Sequence, residues 1–557
     1  MGGQKPAESR LRAGLPAPQF RVLLCTLSMA ACLFAQVPPS VEMTGGTLRG
    51  YLAAPGAVFK AIPYAAPPVG ELRWREPQPV QPWHGVRDAT RYAAACVQIP
   101  TGTGAFLAPL ARRYGVTYAT PRWDLSEDCL YLNIWTPEWP AKEPHAVMFW
   151  MHGGSNRIGS GNEAGYDGAE LAKRGVVVVT INYRLGALGF FAHPELTRES
   201  PHRASGNYGL LDQIAALGWV HDHIAQFGGD PTRVTVFGES AGAIDAGMLM
   251  CSPLAGGLFA RAIIESGPVV GIAYAHSLRQ AEQYGERVAR MALPVLPAPS
   301  IARLRALPAE AILKAAAAAA KQEANPEFVL DGWVLQRTPQ AVFAAGSELP
   351  VALMIGNNGR EASVFRGSSA TSLAADQGPK KTLRISYGSL APIAVAAFAI
   401  DDHTGRAAAA DEWLNDALMT CPADAMAALN AAAGRASFVY QFRRSIPGKG
   451  ESTLGSFHSL ELPYVFGQLR NPVWSSWLAF GKPDEALAEA IEGYWTNFAK
   501  TGDPNGGGLP EWRRYTQASD QYMEFGNDGR VRSRAGARPT FCSLDLLKLK
   551  QRLMDNQ

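Results

Sequence analysis

Gly238-Glu239-Ser240-Ala241-Gly242 is the stretch of this chain whose residue types and spacing could do chemistry. A serine at the tip of a tight turn has its hydroxyl open on two sides. A base can approach from one side and an electrophilic carbonyl from the other, which is the arrangement for nucleophilic acyl transfer. The apolar run Val234-Thr235-Val236-Phe237 precedes the motif and reads as a strand, and the small-residue stretch Ala243 to Met250 reads as a helix. The spacing therefore predicts a strand–turn–helix elbow, with glycines where strand and helix come too close for side chains. The bland alternative is a glycine-rich turn with a solvated serine, and the partners available to Ser240 decide between the two.

A nucleophilic serine needs a base, and the base needs an orienting carboxylate. On α/β sheets that carry this elbow, the acid and then the histidine follow the serine along the chain. Only His276, His403 and His458 follow Ser240. His276 precedes any acid that could sit after a strand. His403 lies in Asp401-Asp402-His403-Thr404-Gly405, which reads as a polar turn. His458 lies in a loop between a strand predicted over 437–442 and an apolar segment, and it is favoured as the base. The run Val351 to Gly356 reads as another strand, and Glu361 opens the next helix after Asn357-Asn358-Gly359-Arg360. A first-turn glutamate also suits a helix dipole, but order and placement favour Glu361 as the acid.

Acyl transfer also requires donors for an oxyanion. His152-Gly153-Gly154-Ser155 directly follows a strand predicted over 146–150. Glycines there let backbone N–H groups approach developing charge. The N–H groups of Gly154 and Ser155, with that of Ala241 beside the serine, are the candidate donors.

Elements to position these groups recur along the chain. Short apolar runs at 146–150, 176–181, 234–237, 262–264, 351–355 and 437–442 read as strands buried on both faces. Helical stretches at 210–224, 277–291 and 311–321 lie between them. This alternation argues an α/β architecture: a central, mostly parallel sheet flanked by helices. Residues 367–430 read as a mobile loop followed by an alanine-rich helical cap inserted into a single domain over 36–557. No internal repeat or long linker is evident.

The chain of 557 residues is 47% hydrophobic and 18% charged, a globular composition. Arg10, Arg12 and Arg21 precede the apolar run Val22 to Ala35, so residues 1–35 read as a signal peptide and the mature protein as secreted or periplasmic. An anchor helix or tail, or lipidation at Cys32 after Met29-Ala30-Ala31, are the alternatives. The leader holds four basic residues and one acidic. Taking these from the 52 basic and 49 acidic residues of the chain leaves 48 of each. A neutral remainder without a basic, aromatic-laced cluster argues against nucleic acid as a partner. No later apolar run is long enough for a transmembrane segment. Five cysteines remain after the leader, an odd number, and their pairing cannot be read from spacing.

Taken together, the residues resemble the type-B carboxylesterase family, the cholinesterase-like branch of the α/β-hydrolase fold, from about residue 42 to the C-terminal region. The likeness rests on Phe59 to Gly70 with Leu72-Arg73-Trp74, on Ser126 to Asn133, and on Asp212-Gln213 with Phe227 to Pro231. It continues through His458 to Gly467, Trp495 to Phe498 and Gly502 to Asn505.

The resemblance implies a serine esterase that hydrolyses a small-molecule or lipid-like ester through an acyl-enzyme, with Ser240, Glu361 and His458 as its triad and neither metal nor organic cofactor. It implies a Cys96–Cys129 disulfide closing a loop near the gorge, an Arg73–Glu127 ion pair at that loop's base, and Ser266 hydrogen-bonded to the acid, with Glu239 in the same supporting layer. It names no partner for Cys251, Cys421 or Cys542. The sequence also departs from the family. Ser155 stands where relatives often have a third glycine, and its N–H is expected to donate only if its backbone avoids positive φ. Asp245 stands where many relatives have a smaller polar residue and has no assigned role. Between Cys96 and Cys129 no equivalent of the choline-binding tryptophan is evident, so a quaternary ammonium substrate is not implied. The alternatives are an esterase for a large or unusual ester, of feruloyl, tricarballylic or polyester type, and a non-catalytic binding protein. The gorge walls that would choose the ester are expected from segments 97–125 and 367–430.

Overall fold

A computed structural model describes residues 37–365, 391–393, 396, 415–536, 542–544 and 547, apart from 44, 100–103, 120–121, 272–274, 297–298 and 323–326. The leader, His403, the loop at 367–380 and most of the cap lie outside the described residues. The described residues from Pro38 onward form one compact unit.

Its frame is an eleven-stranded sheet. In chain order the strands are β1 (Tyr51–Ala53), β2 (Gly56–Pro63), β3 (Tyr131–Trp135), β4 (His145–Met151), β5 (Val177–Ile181), β6 (Gly229–Glu239), β7 (Arg261–Glu265), β8 (Ala352–Asn358), β9 (Ser437–Phe442), β10 (Gln521–Phe525) and β11 (Val531–Ala535). Across the sheet they run β11-β10-β9-β8-β7-β6-β4-β5-β3-β2-β1. The block from β5 to β10 is parallel. Antiparallel strands β3, β2 and β1 flank one side, and β11 flanks the other.

Alternation along the central strands divides their side chains between two cores. Phe149, Met151, Val179, Val236, Ile264 and Ile355 enter one core, with Leu210, Leu217 and Val220 of the helix Tyr208–His223. Met148, Trp150, Val178, Phe237, Ile263 and Met354 enter the other, with Leu487, Ile491, Trp495 and Phe498 of the helix Lys482–Thr501. With both faces covered, β5 can be apolar on both sides, and all five of its residues are buried.

The predicted helices match these elements closely. The stretch at 277–291 is the helix Leu278–Ala292, capped by Ser277 and Gln280 in a reciprocal box. That at 311–321 is Ala309–Ala319. The antiparallel flanks were not read from periodicity. β1 is only three residues long, and β11 is polar and has no buried residue, so neither pattern is distinctive. Of the segment at 381–430, the longest described stretch holds a π turn over Asp416–Thr420 that runs into the helix Cys421–Ala432.

Polar clamps tie these elements together. Asp212 accepts hydrogen bonds from the Arg184 guanidinium at 2.8 and 2.7 Å and from its backbone N–H at 3.0 Å, all buried. Breaking such a buried pair by removing one partner typically costs about 3–5 kcal/mol. Arg73 makes a bidentate pair with Glu127 at 2.7 and 2.5 Å, and its other arm donates to the carbonyls of Leu304, Arg305 and Leu307. Cys96 is bonded to Cys129, and Cys421 to Cys542, while Cys251 is a buried free thiol. A second disulfide was thus hidden among three cysteines that the sequence could not pair, 121 residues apart. Among the described residues no helix is long and apolar enough to cross a membrane.

Candidate active site

β6 ends at Glu239, and the helix Ala241–Cys251 begins one residue after Ser240. Between them Ser240 takes φ 56° and ψ −122°, a conformation L residues rarely occupy. The reason lies in the neighbours. A Cβ on Gly242 would sit 2.0 Å from the Met151 carbonyl oxygen, and one on Gly238 would sit 2.5 Å from the Gly242 backbone. Only glycine fits at both positions, so the turn is forced tight and the serine is pushed to its apex. The Ser240 N–H donates to the Glu265 carbonyl at 2.9 Å, which ties the apex to β7.

β8 carries the acid side of the site. Glu361 opens a short 3-10 helix, Glu361–Phe365, rather than a longer α-helix. Its Oε1 accepts from the Ser266 hydroxyl and the Asn358 N–H, each at 2.5 Å. Its own N–H donates to Asn415 Oδ1 at 2.8 Å. The other oxygen, Oε2, lies 2.6 Å from His458 Nδ1. His458 reaches it from the loop after β9. His276, by contrast, lies in a small two-stranded sheet with Phe328–Leu330.

Ser240 and His458 line one cavity of about 110 Å³, together with Gly153, Gly154 and Ser155 of the loop after β4. Gly153 has no room for a side chain, since a Cβ there would lie 2.8 Å from the Glu239 carboxylate. Gly154 lies at φ 107° and Ser155 at φ 55°. The condition placed on Ser155 is thus not met, and the expectation needs correcting. Left-handed backbone at a non-glycine residue costs about 1–3 kcal/mol through crowding of its Cβ, but it leaves the N–H in place. The Ala241 N–H opens the helix that starts at the elbow, where the first N–H groups lack intrahelical partners.

Phe106, Leu107, Tyr166, Leu462, Val473 and Trp474 form much of the remaining wall. Phe106 and Leu107 come from the expected segment 97–125. Val473 and Trp474 belong to a stretch that sequence reasoning passed over, because aromatic residues there look like ordinary core. Among the described residues no cluster of three or more His, Cys, Asp or Glu side chains is arranged to hold a metal ion.

Glu239 is the residue whose position changes the electrostatics most. It is buried, its Oε1 lies 3.1 Å from His458 Nε2, and the same oxygen accepts from the Ser459 hydroxyl at 2.6 Å. The imidazole therefore lies between two carboxylates. Burial pulls its pKa down, but Glu239 and Glu361 outweigh that and push it up to about 10. Burial in turn raises Glu239, while His458 pulls it back. Glu239 and His458, in contact and both buried, thus shift each other's proton affinity. Glu265 and Glu461 extend the cluster. Glu265 accepts from Trp495 Nε1 at 2.8 Å, and burial pushes it up to about 8. Glu461 accepts from Asn358 and is also raised by burial.

The chain turns sharply over Ser240 at the end of a parallel strand, and comparison with known proteins gives the family. The family model described as "Carboxylesterase family" matches residues 37–542. The chain belongs to the carboxylesterase family. Its fold is the α/β-hydrolase fold, and it is a carboxylic ester hydrolase. The carboxylesterase is 36% identical over 486 residues to the fumonisin B1 esterase of Sphingopyxis macrogoltabida, covering 84% of this chain and 83% of that one. It is 34% identical to carboxylesterase 1D of Rattus norvegicus, covering 90% and 93%. Among solved structures it resembles a carboxylesterase of Geobacillus stearothermophilus, with TM-score 0.76, 33% identity and coverage of 90% and 99%.

The carboxylate pair around His458 makes a direct prediction. Replacing Glu239 with Gln removes a charge 3.1 Å from Nε2, so the His458 pKa should fall by about 1–3 units. NMR titration of the imidazole in wild type and E239Q reads the shift, and coincident titrations would count against the assignment.

Proposed function

We propose that Ser240 is the nucleophile of two-step ester hydrolysis, with His458 as the base and Glu361 as the residue that holds it. The observation that carries this reading is the 2.6 Å contact of His458 Nδ1 with Glu361, on an imidazole that shares a cavity with Ser240. His458 takes the serine proton as Ser240 attacks the ester carbonyl. The N–H groups of Gly154, Ser155 and Ala241 receive the oxyanion. The alcohol leaves with the proton from His458, and water then hydrolyses the acyl-enzyme. Glu361 accepts from Nδ1, which sets the tautomer and stabilises the imidazolium. Because the base must be neutral to act, a raised His458 pKa puts the acid limb of the rate profile above the ordinary histidine range.

The apolar walls of the site support apolar acyl or alcohol groups of modest size as its substrates. A second reading, an esterase for a large ester, draws support from the relative named fumonisin B1 esterase. For the N-terminus we propose a cleaved leader over residues 1–35. Two disulfides in the folded unit support export, since such bonds persist in oxidising compartments.

Three measurements test these readings. Ser240→Ala should lower kcat on p-nitrophenyl butyrate by about 10⁶-fold and abolish labelling by a fluorophosphonate; wild-type turnover in that variant would refute the mechanism. A panel of p-nitrophenyl esters of rising acyl size should give its highest kcat/KM at the short members, and a maximum at the bulkiest would favour the second reading. The intact mass of exported protein should show loss of the leader, whereas an uncleaved chain or an added lipid mass would exclude simple cleavage.

A further inference from the structure

Three consecutive residues of the loop after β4 have positive φ: Gly154 at 107°, Ser155 at 55° and Asn156 at 51°. Two of them are not glycine, so this turn is held against its own preference by something outside it. Asn156 shows what that is. Its side chain is buried, and its Nδ2 donates to Asp245 Oδ1 at 2.9 Å and to Glu327 Oε1 at 2.8 Å. An amide nitrogen has two hydrogens, so it serves both carboxyls at once. The Asn156 carbonyl in turn accepts from the Gly186 N–H at 2.6 Å.

The other end of this clamp is fixed to the nucleophile's own helix. Asp245 is fully buried on the helix Ala241–Cys251, five positions after Ser240. Its second oxygen accepts from Gln213 Nε2 at 2.5 Å, on the helix Tyr208–His223. Upstream, the Tyr183 hydroxyl donates to the His152 carbonyl at 2.7 Å, and the two rings stack at 4.5 Å. The elbow and the loop are thus joined by one short polar chain that does not pass through the cavity.

We propose that Asn156, held by Asp245 and Glu327, is a positioning residue that keeps the Gly154–Ser155 N–H groups aimed at the oxyanion formed on Ser240. This rests on the mechanism proposed above. It also gives Asp245 a role that the sequence did not supply. Ion content suits the arrangement. Burial raises Asp245 to about 8 and Glu327 to about 7, with Tyr183 and Arg157 as the other titratable groups acting on the pair. Burial favours the protonated form of both acids, so one amide bridges them with less repulsion between negative charges.

The test measures rates per active site in the full-length enzyme, with sites counted by fluorophosphonate titration. In Asn156→Ala the per-site kcat on p-nitrophenyl butyrate should fall by about 10–10²-fold, with KM changed less than about twofold. Affinity for a trifluoromethyl ketone, which forms a tetrahedral oxyanion on the serine, should weaken by the same factor as kcat/KM. A triple exchange, N156D with D245N and E327Q, rebuilds the hydrogen bonds with donors and acceptors reversed and should recover part of the loss. The proposal is overturned if N156A loses only its number of active sites and keeps the wild-type per-site kcat. It is also overturned if the exchanged enzyme is no faster per site than N156A. An active Ser240→Ala variant would instead remove the underlying mechanism, so the two failures are distinguishable.

Discussion

The carbonyl oxygen of Met151 lies where a Cβ on residue 242 would have to be, 2.0 Å away, and the Gly242 backbone closes in on residue 238 in the same manner. This close approach of β4, β6 and the helix Ala241–Cys251 is the constraint on which the site depends. It forces the chain to reverse over a single residue. It carries Ser240 to φ 56° and brings the start of β4's following loop against the elbow. A side chain at either glycine would separate strand from helix, and the loop after β4 would move with them. Position 267 is confined in the same way, since a Cβ there would lie 2.4 Å from the Ser240 carbonyl.

Around that apex the fold buries several carboxyl groups close together. Glu239, Glu265, Glu361 and Glu461 are all buried, with His458 among them. An isolated buried carboxylate is so costly that it tends to neutralise, and burial shifts Glu265 and Glu461 in that direction. Glu361 is the exception in its surroundings, with a hydroxyl, a backbone N–H and an imidazole all directed at its two oxygens. Hydrogen-bond supply, rather than burial alone, marks out the carboxyl that faces His458 Nδ1. A second pair of acids, the buried Asp245 and the part-buried Glu327, accepts from amides rather than from cations.

Much of this architecture was legible along the chain. Strands buried on both faces announce themselves as apolar runs, and β9 was read to the residue. The elbow was legible because its glycines are demanded by contacts local to one turn. Ser155 shows the limit of such reading. Its left-handed backbone was not foreseen, because the hydrogen bonds of the neighbouring Asn156 reach residues 245 and 327, far off in sequence. The Cys421–Cys542 bond was illegible for the same reason, as was the part played by Trp474 in the cavity wall.

The sequence by itself determined the family, the α/β frame and the order in which serine, acid and histidine appear. Those properties are written in local patterns: periodicity, glycine placement and motif order. Only the tertiary structure decided that His458 would lie between Glu361 and Glu239, 219 residues from the latter, and that Asp245 would hold Asn156. Electrostatic environment depends on burial and on a few ångströms of separation between elements brought together by the sheet. No spacing along the chain encodes those distances, because the packing of β4, β6 and their helices sets them.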